Sequence, residues 1–591
     1  MDQQHILYLQ LPLLDNDPHS ERENFPFAGA YLDHALRRSP EAAFYTTSFS
    51  PTEWDELDTE HLCTAILATG ADLIACTLYL WNIERTLRLA TLLKAKRPAI
   101  RIVVGGPETA KEHPLLFKEH SAFDAVVTGE GEETFPALLH FWRTGTPALF
   151  DNLALQTSAG WTWGTQTAPS TDLATAQPSE ESIMHCVQNR PVVYLETVRG
   201  CPLTCSYCRY YQLHTGLRQL TTEQVLKRIR RFRDLGAQEI RFVDPTFNAR
   251  PKFTEFLAAI AELNQDHQLE FFAEIRSDTL TEKQAALMKQ GNFTAVEVGV
   301  QSIDPEVLKN VTRPVKLERT GAGIQALCNA GVHVVLDIMY GLPGQTLGDV
   351  QRSLDWGLAF GDQVQVQCMQ TLILPGTVLR NDSNRWKLEH KNQPPYAIQQ
   401  TNELSPDDIR TIELLLDEHP KLPADPITPR FCSQRLSGLF NEQIHIDVEH
   451  LIATKESSES PEHLDSSSGN ARRSPVAPAI PGQSNRRALL ISGSNLFSHR
   501  TAITELIHRA IAGEPDGLWQ FILIPKHEEP LDLIRELASA IHQHPPHMLD
   551  HFASAAAFEV IVSRRLYLRT NASISKDWNH AAEELLRESF G

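Results

Sequence analysis

Between residues 191 and 380 the chain repeats one pattern, a short apolar run followed by a longer stretch with helical spacing. The runs VVYLET, EIRFVD, LEFFAEI, AVEVGV, VHVVLDI and QVQCMQTLI alternate with TTEQVLKRIRRFRDLG, PKFTEFLAAIAEL, TEKQAALMKQG, RTGAGIQALCNAG and LGDVQRSLDWGLAF. Such alternation calls for parallel strands joined by helices, because a parallel pair needs a long crossover that a hairpin turn cannot supply. Six βα units in this length fit a complete or partial α/β barrel better than an open sheet. Functional residues then belong at the carboxyl ends of the strands.

Residues 1–150 alternate in the same way, through HILYLQL, AGAYLDHAL, ADLIACTLYL, ERTLRLATLLKAK, IRIVVGG, DAVVTG and EETFPALLHFW. This predicts a Rossmann-like α/β domain with a parallel sheet covered on both faces. Gly105-Gly106-Pro107 and Gly129-Glu130-Gly131 fall at strand ends, where glycine serves either close approach to a ligand or a simple exit turn. Residues 151–190, polar and rich in Thr, Ser and Ala, read as a linker. After the barrel at 191–385, residues 386–452 are expected to extend it and carry a substrate region. Residues 453–487, rich in Ser, Pro and charge without periodicity, read as a disordered tether, and 488–591 as a small α/β domain of unknown role. A chain of 591 residues fits this division, since single cores stop growing near ~250 to 300 residues.

The formal net charge is −20, so a nucleic acid partner is not expected. No run of about 18 apolar residues occurs and the start has no basic, apolar leader pattern, which predicts a cytoplasmic protein without membrane contact. Nine cysteines are too few for a disulfide scaffold. Cys63, Cys76, Cys186, Cys328, Cys368 and Cys432 are scattered and read as inert thiols, whereas Cys201, Cys205 and Cys208 cluster directly after the run VVYLET.

The cluster reads Gly200-Cys201-Pro202-Leu203-Thr204-Cys205-Ser206-Tyr207-Cys208. A structural zinc site wants four ligands, and the only nearby addition is His185-Cys186. Three thiolates suit three irons of a 4Fe-4S cluster with the fourth iron open, which implies chemistry rather than electron storage. A zinc knuckle and unliganded thiols are the other readings.

This C-x3-C-x-aromatic-C motif at the end of the first strand resembles that of the radical S-adenosylmethionine (SAM) superfamily, which is built on a partial (βα)6 barrel. The likeness continues at Phe242 to Asn248, Glu274-Ile275-Arg276-Ser277, Glu297 to Ser302 and Gly341 to Thr346. It implies that Cys201, Cys205 and Cys208 ligate a 4Fe-4S cluster whose open iron takes SAM, with Tyr207 in the aromatic place. It implies that Gln301 and Ser302 contact SAM and that Gly341 to Pro343 approach its adenine, against plain readings as a strand-end cap and a turn. Glu274 and Arg276 either grip SAM or substrate or pair with each other, and Asp244 is equally open.

The first domain resembles the cobalamin-binding domain that precedes the barrel in one branch of this superfamily, in a subgroup where a Trp-Asn pair, here Trp81-Asn82, follows the third apolar run. The likeness implies that Thr77, Gly105, Gly106, Gly129, Glu130 and Gly131 line the corrin or its nucleotide tail. No D-x-H-x-x-G motif is present to supply an axial histidine. The whole implies a cobalamin-dependent radical SAM enzyme that methylates an unactivated carbon of a small molecule or peptide, with an electron donor such as flavodoxin or ferredoxin. Two other readings stand beside it. One is a radical SAM enzyme with a vestigial first domain that performs oxidation, rearrangement or macromolecule modification. The other is a metal-stabilised binding module.

Overall fold

The fold was obtained as a computed structural model and describes residues 3–13, 26–117, 122–146, 150–189, 192–214, 216–418, 442–447, 486–513, 515–547, 563–570 and 573–590. The amino-terminal sheet contains β1 (Gln4–Leu9), β2 (Tyr45–Phe49), β3 (Leu73–Thr77), β4 (Arg101–Gly105), β5 (Ala125–Val127), β6 (Leu153–Thr157) and β7 (Gly160–Trp163). Their order is β2-β1-β3-β4-β5-β6-β7, parallel through β5. Every residue of β3 and β5 is buried, as expected of strands covered on both faces. One face packs Leu7, Leu9, Ile74, Ile102 and Val104 under helices Thr59–Ala68 and Ile83–Lys96. The other packs Ile6, Tyr8, Val103 and Ala125 under helices Phe27–Arg38 and Thr134–Thr144.

Part of the expected linker departs from that reading. Residues 153–163 form β6 and β7, an antiparallel hairpin added to β5. Its apolar residues are few, but Leu153, Ala154 and Leu155 are buried, and Trp161 and Trp163 lie 5.3 and 5.4 Å from Phe117. Pairing to an existing edge, rather than a strong period of its own, makes this a strand region.

The second sheet contains β8 (Val192–Leu195), β11 (Glu239–Phe242), β12 (Glu270–Ile275), β13 (Phe293–Gln301), β14 (His333–Tyr340) and β15 (Val364–Gln370). A small antiparallel pair, β9 (Val198–Arg199) and β10 (Arg218–Gln219), stands between β8 and β11 in the chain. The six strands are parallel in the order β15-β14-β13-β12-β11-β8, and among the described residues β8 and β15 do not pair with each other, so the barrel is partial. Thr221 and Thr281 begin their helices with capping boxes, each closing two otherwise open backbone donors. Phe271, Ala273, Ile275, Val296, Val298, Leu336 and Ile338 bury one side of the strands. The period of two sends Glu274, Glu297, Asp337 and Gln367 to the opposite side, so the lumen is polar where a closed barrel would be filled with branched apolar residues.

Beyond β15 lie β16 (Glu389–His390) and β17 (Ile398–Gln400), then helix Pro406–Glu418. The region expected as a barrel extension also supplies β18 (Glu442–Asp447), which belongs elsewhere: it pairs parallel with β19 (Arg486–Gly493) of the last sheet. That sheet continues through β20 (Leu518–Pro525) and β21 (Arg564–Leu568). A strand of six residues gives no sign in sequence of a partner about forty positions away. Residues 453–485 of the expected tether lie outside the described residues. Arg88 to Asp516 (2.6 Å) and Arg487 to Asp58 (3.1 Å) dock the last unit on the helices of the first. Among the described residues no helix is long and apolar enough to cross a membrane.

Candidate active site

The cysteine loop is anchored before it begins. Asp244, just after β11 and fully buried, accepts hydrogen bonds from Thr197 N (2.6 Å), Val198 N (2.8 Å) and the Thr197 hydroxyl. Burial pushes its pKa up to about 7 in spite of these bonds. β9 and β10 then close the base of the excursion 200–217. Gly200 has φ +94°, and a Cβ there would lie 2.1 Å from Gly216 O, so the crossing at this base requires glycine. Asp244→Asn keeps one carbonyl oxygen for three donors and is expected to cost about 1 to 3 kcal/mol. Its folded pKa is raised, so the folded chain holds an extra proton between about pH 4 and 7 and loses stability as pH rises through that window. Urea midpoints measured across this range should fall with pH in the native chain and flatten at this site in the variant.

Within the loop Cys205 is buried and Cys201 and Cys208 are partly accessible. Leu203 N points at Cys201 Sγ (3.5 Å), Cys208 N bonds Cys205 O (3.0 Å), and burial pushes the Cys208 thiol up. The ring of Tyr207 packs on Val307, Val311 and Leu342. The three sulfurs do not converge on a single-ion site; among the described residues no three His, Cys, Asp or Glu side chains do. Cys76 and Cys368 are buried thiols pushed up to about 12, in keeping with inert side chains.

Facing the loop is a residue that no motif pointed to. Arg313 is half-buried and donates from Nη1 to Cys205 Sγ (3.4 Å) and from Nη2 to Gly299 O. Burial works against its charge, but the Tyr207 and Cys205 groups beside it hold the guanidinium pKa above its ordinary value. β13 bulges between Gly299 and Gln301, and Gln301 takes a left-handed φ of +70°. A Cβ on Gly299 would lie 2.5 Å from Gln301 Nε2 and 3.1 Å from Arg313 Nη2, so the glycine leaves room for both side chains. Gln301 Oε1, Asp337 Oδ1 and Arg313 Nε are buried without a hydrogen-bond partner. A left-handed backbone and unpaired polar atoms thus coincide at Gln301, Asp337 and Arg313.

Deeper in the lumen Glu274 stands beside Glu297 in register, and Asp337 beside Gly299. Glu274 is open to the lumen yet ringed by protein, and this enclosure, then the charges of Glu297 and Asp244, push its pKa up to about 7. Burial and Glu297 likewise hold the Asp337 carboxyl well above its usual range. Arg276 does not pair with Glu274. The turn after β12 swings Asp278 to its Nε at 2.9 Å, and Asn248, in the turn that follows β11, ties down its backbone.

The other expected contacts have partners within the chain. Ser302 Oγ accepts from Asp304 N (3.2 Å), which starts the next helix. A Cβ on Gly341 would meet Ile398 Cγ2 at 2.5 Å, so β17 is what this glycine admits, and Pro343 O accepts from Asn310 Nδ2 (3.0 Å).

In the first sheet the strand order reverses between β1 and β3, and such crevices hold the ligands of open parallel sheets. Asn82 spans this crevice, donating to Leu11 O (3.0 Å) and Thr77 O (3.2 Å) and accepting from Tyr79 N. Trp81 stacks on Tyr79 with ring centres 4.4 Å apart. The Trp-Asn pair therefore shapes the strand-end loop. Thr77 is buried there, Leu78 N bonds Gly105 O, and Gly106 (φ +109°) leaves 2.6 Å between its Cβ position and Leu78 O. Glu84 Oε2, at the same edge, is buried and unpartnered, and burial pushes that carboxyl up to about 7.

Gly129 (φ +70°) turns against the cysteine loop itself, its Cβ position 2.8 Å from Leu213 O, and Gly131 packs on Leu32. Glu130 accepts from Arg218 Nη1 (3.0 Å) and lies 3.3 Å from His214 Nδ1, and Glu132 takes Arg199 at 2.7 Å. Burial would raise the Glu130 pKa, but the His214 and Arg218 hydrogen bonds and the Arg199 charge hold it far below the carboxylate range. A second buried contact joins the two units: Tyr396 OH donates to Glu108 Oε2 (2.9 Å) beside His113 Nε2 (2.9 Å). The carboxyl edges of both sheets thus meet around the cysteine loop.

Comparison with known proteins agrees with this arrangement. Residues 30–139 match the B12 binding domain and residues 195–357 the Radical SAM superfamily. The cobalamin-dependent radical SAM methyltransferase TokK of Streptomyces tokunonensis is 22% identical over 408 residues, 63% of this chain and 59% of its own. The 2-(S-pantetheinyl)-carbapenam-3-carboxylate methyltransferase of Streptantibioticus cattleyicolor is 23% identical over 52% of this chain and 48% of its own. The chain thus spans about half of each of these relatives. In fold it is similar to the radical S-adenosylmethionine methyltransferase TsrM of Kitasatospora setae, solved with tryptophan and a SAM analog, with TM-score 0.55 at 16% identity over 68% of this chain and 80% of that one. The chain thus carries a B12-binding domain at 30–139 and, after it, a domain of the radical SAM superfamily at 195–357.

Proposed function

We propose that this protein is a cobalamin-dependent radical SAM enzyme that transfers a methyl group to an unactivated carbon of a small molecule or peptide. The observation that carries it is the meeting of two carboxyl edges, one with the cysteine triad and Arg313, the other with the B12-type crevice. The cofactors that accompany these two domains are a 4Fe-4S cluster with SAM, and cobalamin. Together they supply a 5′-deoxyadenosyl radical for hydrogen abstraction and a methyl donor.

The residues present suit these groups. Cys201, Cys205 and Cys208 provide three sulfur ligands, and Arg313 donates to the sulfur of Cys205. The unpartnered Nε of Arg313 matches a carboxylate, and Gln301 Oε1, Asp337 and Glu274 supply acceptors for the ammonium and ribose hydroxyls of SAM. Ser302, Gly341 and Pro343 support this pocket through the backbone. In the first domain the crevice between β1 and β3, with Thr77, Gly105, Gly106 and the buried Glu84 oxygen around it, suits a polar planar ligand such as a corrin. A reducing cytoplasm and an electron donor such as flavodoxin or ferredoxin fit this chemistry.

Anaerobic reconstitution tests the reading. Expected are about four irons per chain, release of 5′-deoxyadenosine under reductant, and a corrin spectrum that survives desalting. Radical chemistry without retained corrin would favour the vestigial first domain, and failure to bind iron would leave only a binding module. Because Glu274 has a pKa near 7 and its ionised form attracts the SAM ammonium, SAM affinity should rise between about pH 6 and 8. Glu274→Gln should flatten that rise in isothermal titrations.

A further inference from the structure

The turn Gly129-Glu130-Gly131 is expected to line a corrin, and in the structure its carboxylate is held by Arg218, Arg199 and His214. Arg199 and Arg218 stand directly opposite each other where β9 and β10 pair. Like charges in such a cross-strand position repel. Glu130 of the first domain reaches both, at 3.0 Å from Arg218 Nη1 and 3.4 Å from Arg199 Nη1, while Glu132 and Glu196 each hold Arg199 at 2.7 Å. These groups are largely buried, so the pairs are weakly screened and removing one partner leaves a costly unpaired charge. Arg199 is separated from Cys201 by Gly200 alone, and Arg218 lies at the far end of the same loop. The base of the cysteine loop is therefore closed by carboxylates of the other domain.

We propose that Glu130 and Glu132 are positioning residues that couple the two cofactor sites, so that a ligand ordering the first domain's β5 turn also closes the cysteine loop. This rests on the function proposed above and adds to it a linkage between its cofactors. The coupling is reciprocal: whatever factor a corrin adds to cluster-loop closure, the assembled loop adds to corrin affinity.

The full chain is titrated anaerobically with hydroxocobalamin, before and after cluster reconstitution, and the two dissociation constants are compared. The native protein should bind corrin at least about fivefold more tightly once the cluster is in place. In Glu130→Gln/Glu132→Gln the two constants should become equal, and Arg218→Lys, which keeps the charge, should restore most of the ratio relative to Arg218→Met. A ratio of one in the native protein, or an unchanged ratio in the double variant, overturns the inference while leaving the functional reading intact. If the double variant does not fold, the native ratio and the Arg218 pair decide. If the native chain takes up neither iron nor corrin, the functional reading falls and the coupling with it.

Discussion

Cys205→Ala is expected to abolish iron retention and 5′-deoxyadenosine release together. Cys205 is the buried member of the triad and the one that Arg313 touches. Its loss leaves two sulfurs for a cluster that needs three protein ligands, and removes the acceptor that Arg313 Nη1 contacts. Cys201→Ala and Cys208→Ala should match it in iron content, since each also removes one ligand. Cys368→Ala is the control: its thiol is buried in β15, pushed up to about 12, and should keep full iron. Iron analysis of the reconstituted proteins and chromatography of the nucleoside products provide the readout. Full iron and SAM cleavage in Cys205→Ala would refute the ligand assignment.

Arg313→Met should separate SAM binding from cluster assembly. The guanidinium is held by Cys205 and Gly299 O, and its Nε has no partner within the chain. Truncating one partner of a buried charged pair costs about 2 to 5 kcal/mol, which corresponds to roughly thirty- to several-thousand-fold in SAM affinity. Iron content should stay close to native, because all three cysteines remain. Arg313→Lys should recover only part of the affinity, since an ammonium lacks the planar fork that matches a carboxylate. Unchanged SAM affinity in Arg313→Met would remove Arg313 from the binding site.

The same contrast runs through the molecule. Strand and helix alternation was legible because period-two and helical spacing are local properties, and all six barrel strands appear where their apolar runs lie. The hairpin β6–β7 and strand β18 were not legible, because each exists by pairing to an edge supplied from elsewhere in the chain. At the site, glycines were visible but their partners were not. Gly341 admits Ile398, Gly129 admits Leu213 and Gly299 admits Gln301 and Arg313, three different uses of the same residue.

By itself the amino-acid order determined that two α/β units stand in tandem and that three closely spaced cysteines follow a strand. Such features need only local geometry and the chemistry of single side chains. The tertiary structure decided that Arg313 reaches Cys205, that Arg276 turns to Asp278 rather than Glu274, and that Glu130 clasps the base of the cysteine loop. The first and last join side chains 108 and 88 positions apart, and the second is a choice between two carboxylates equally near in sequence. Their energies depend on burial and on the distance at which the partners stand, and neither is encoded in spacing along the chain.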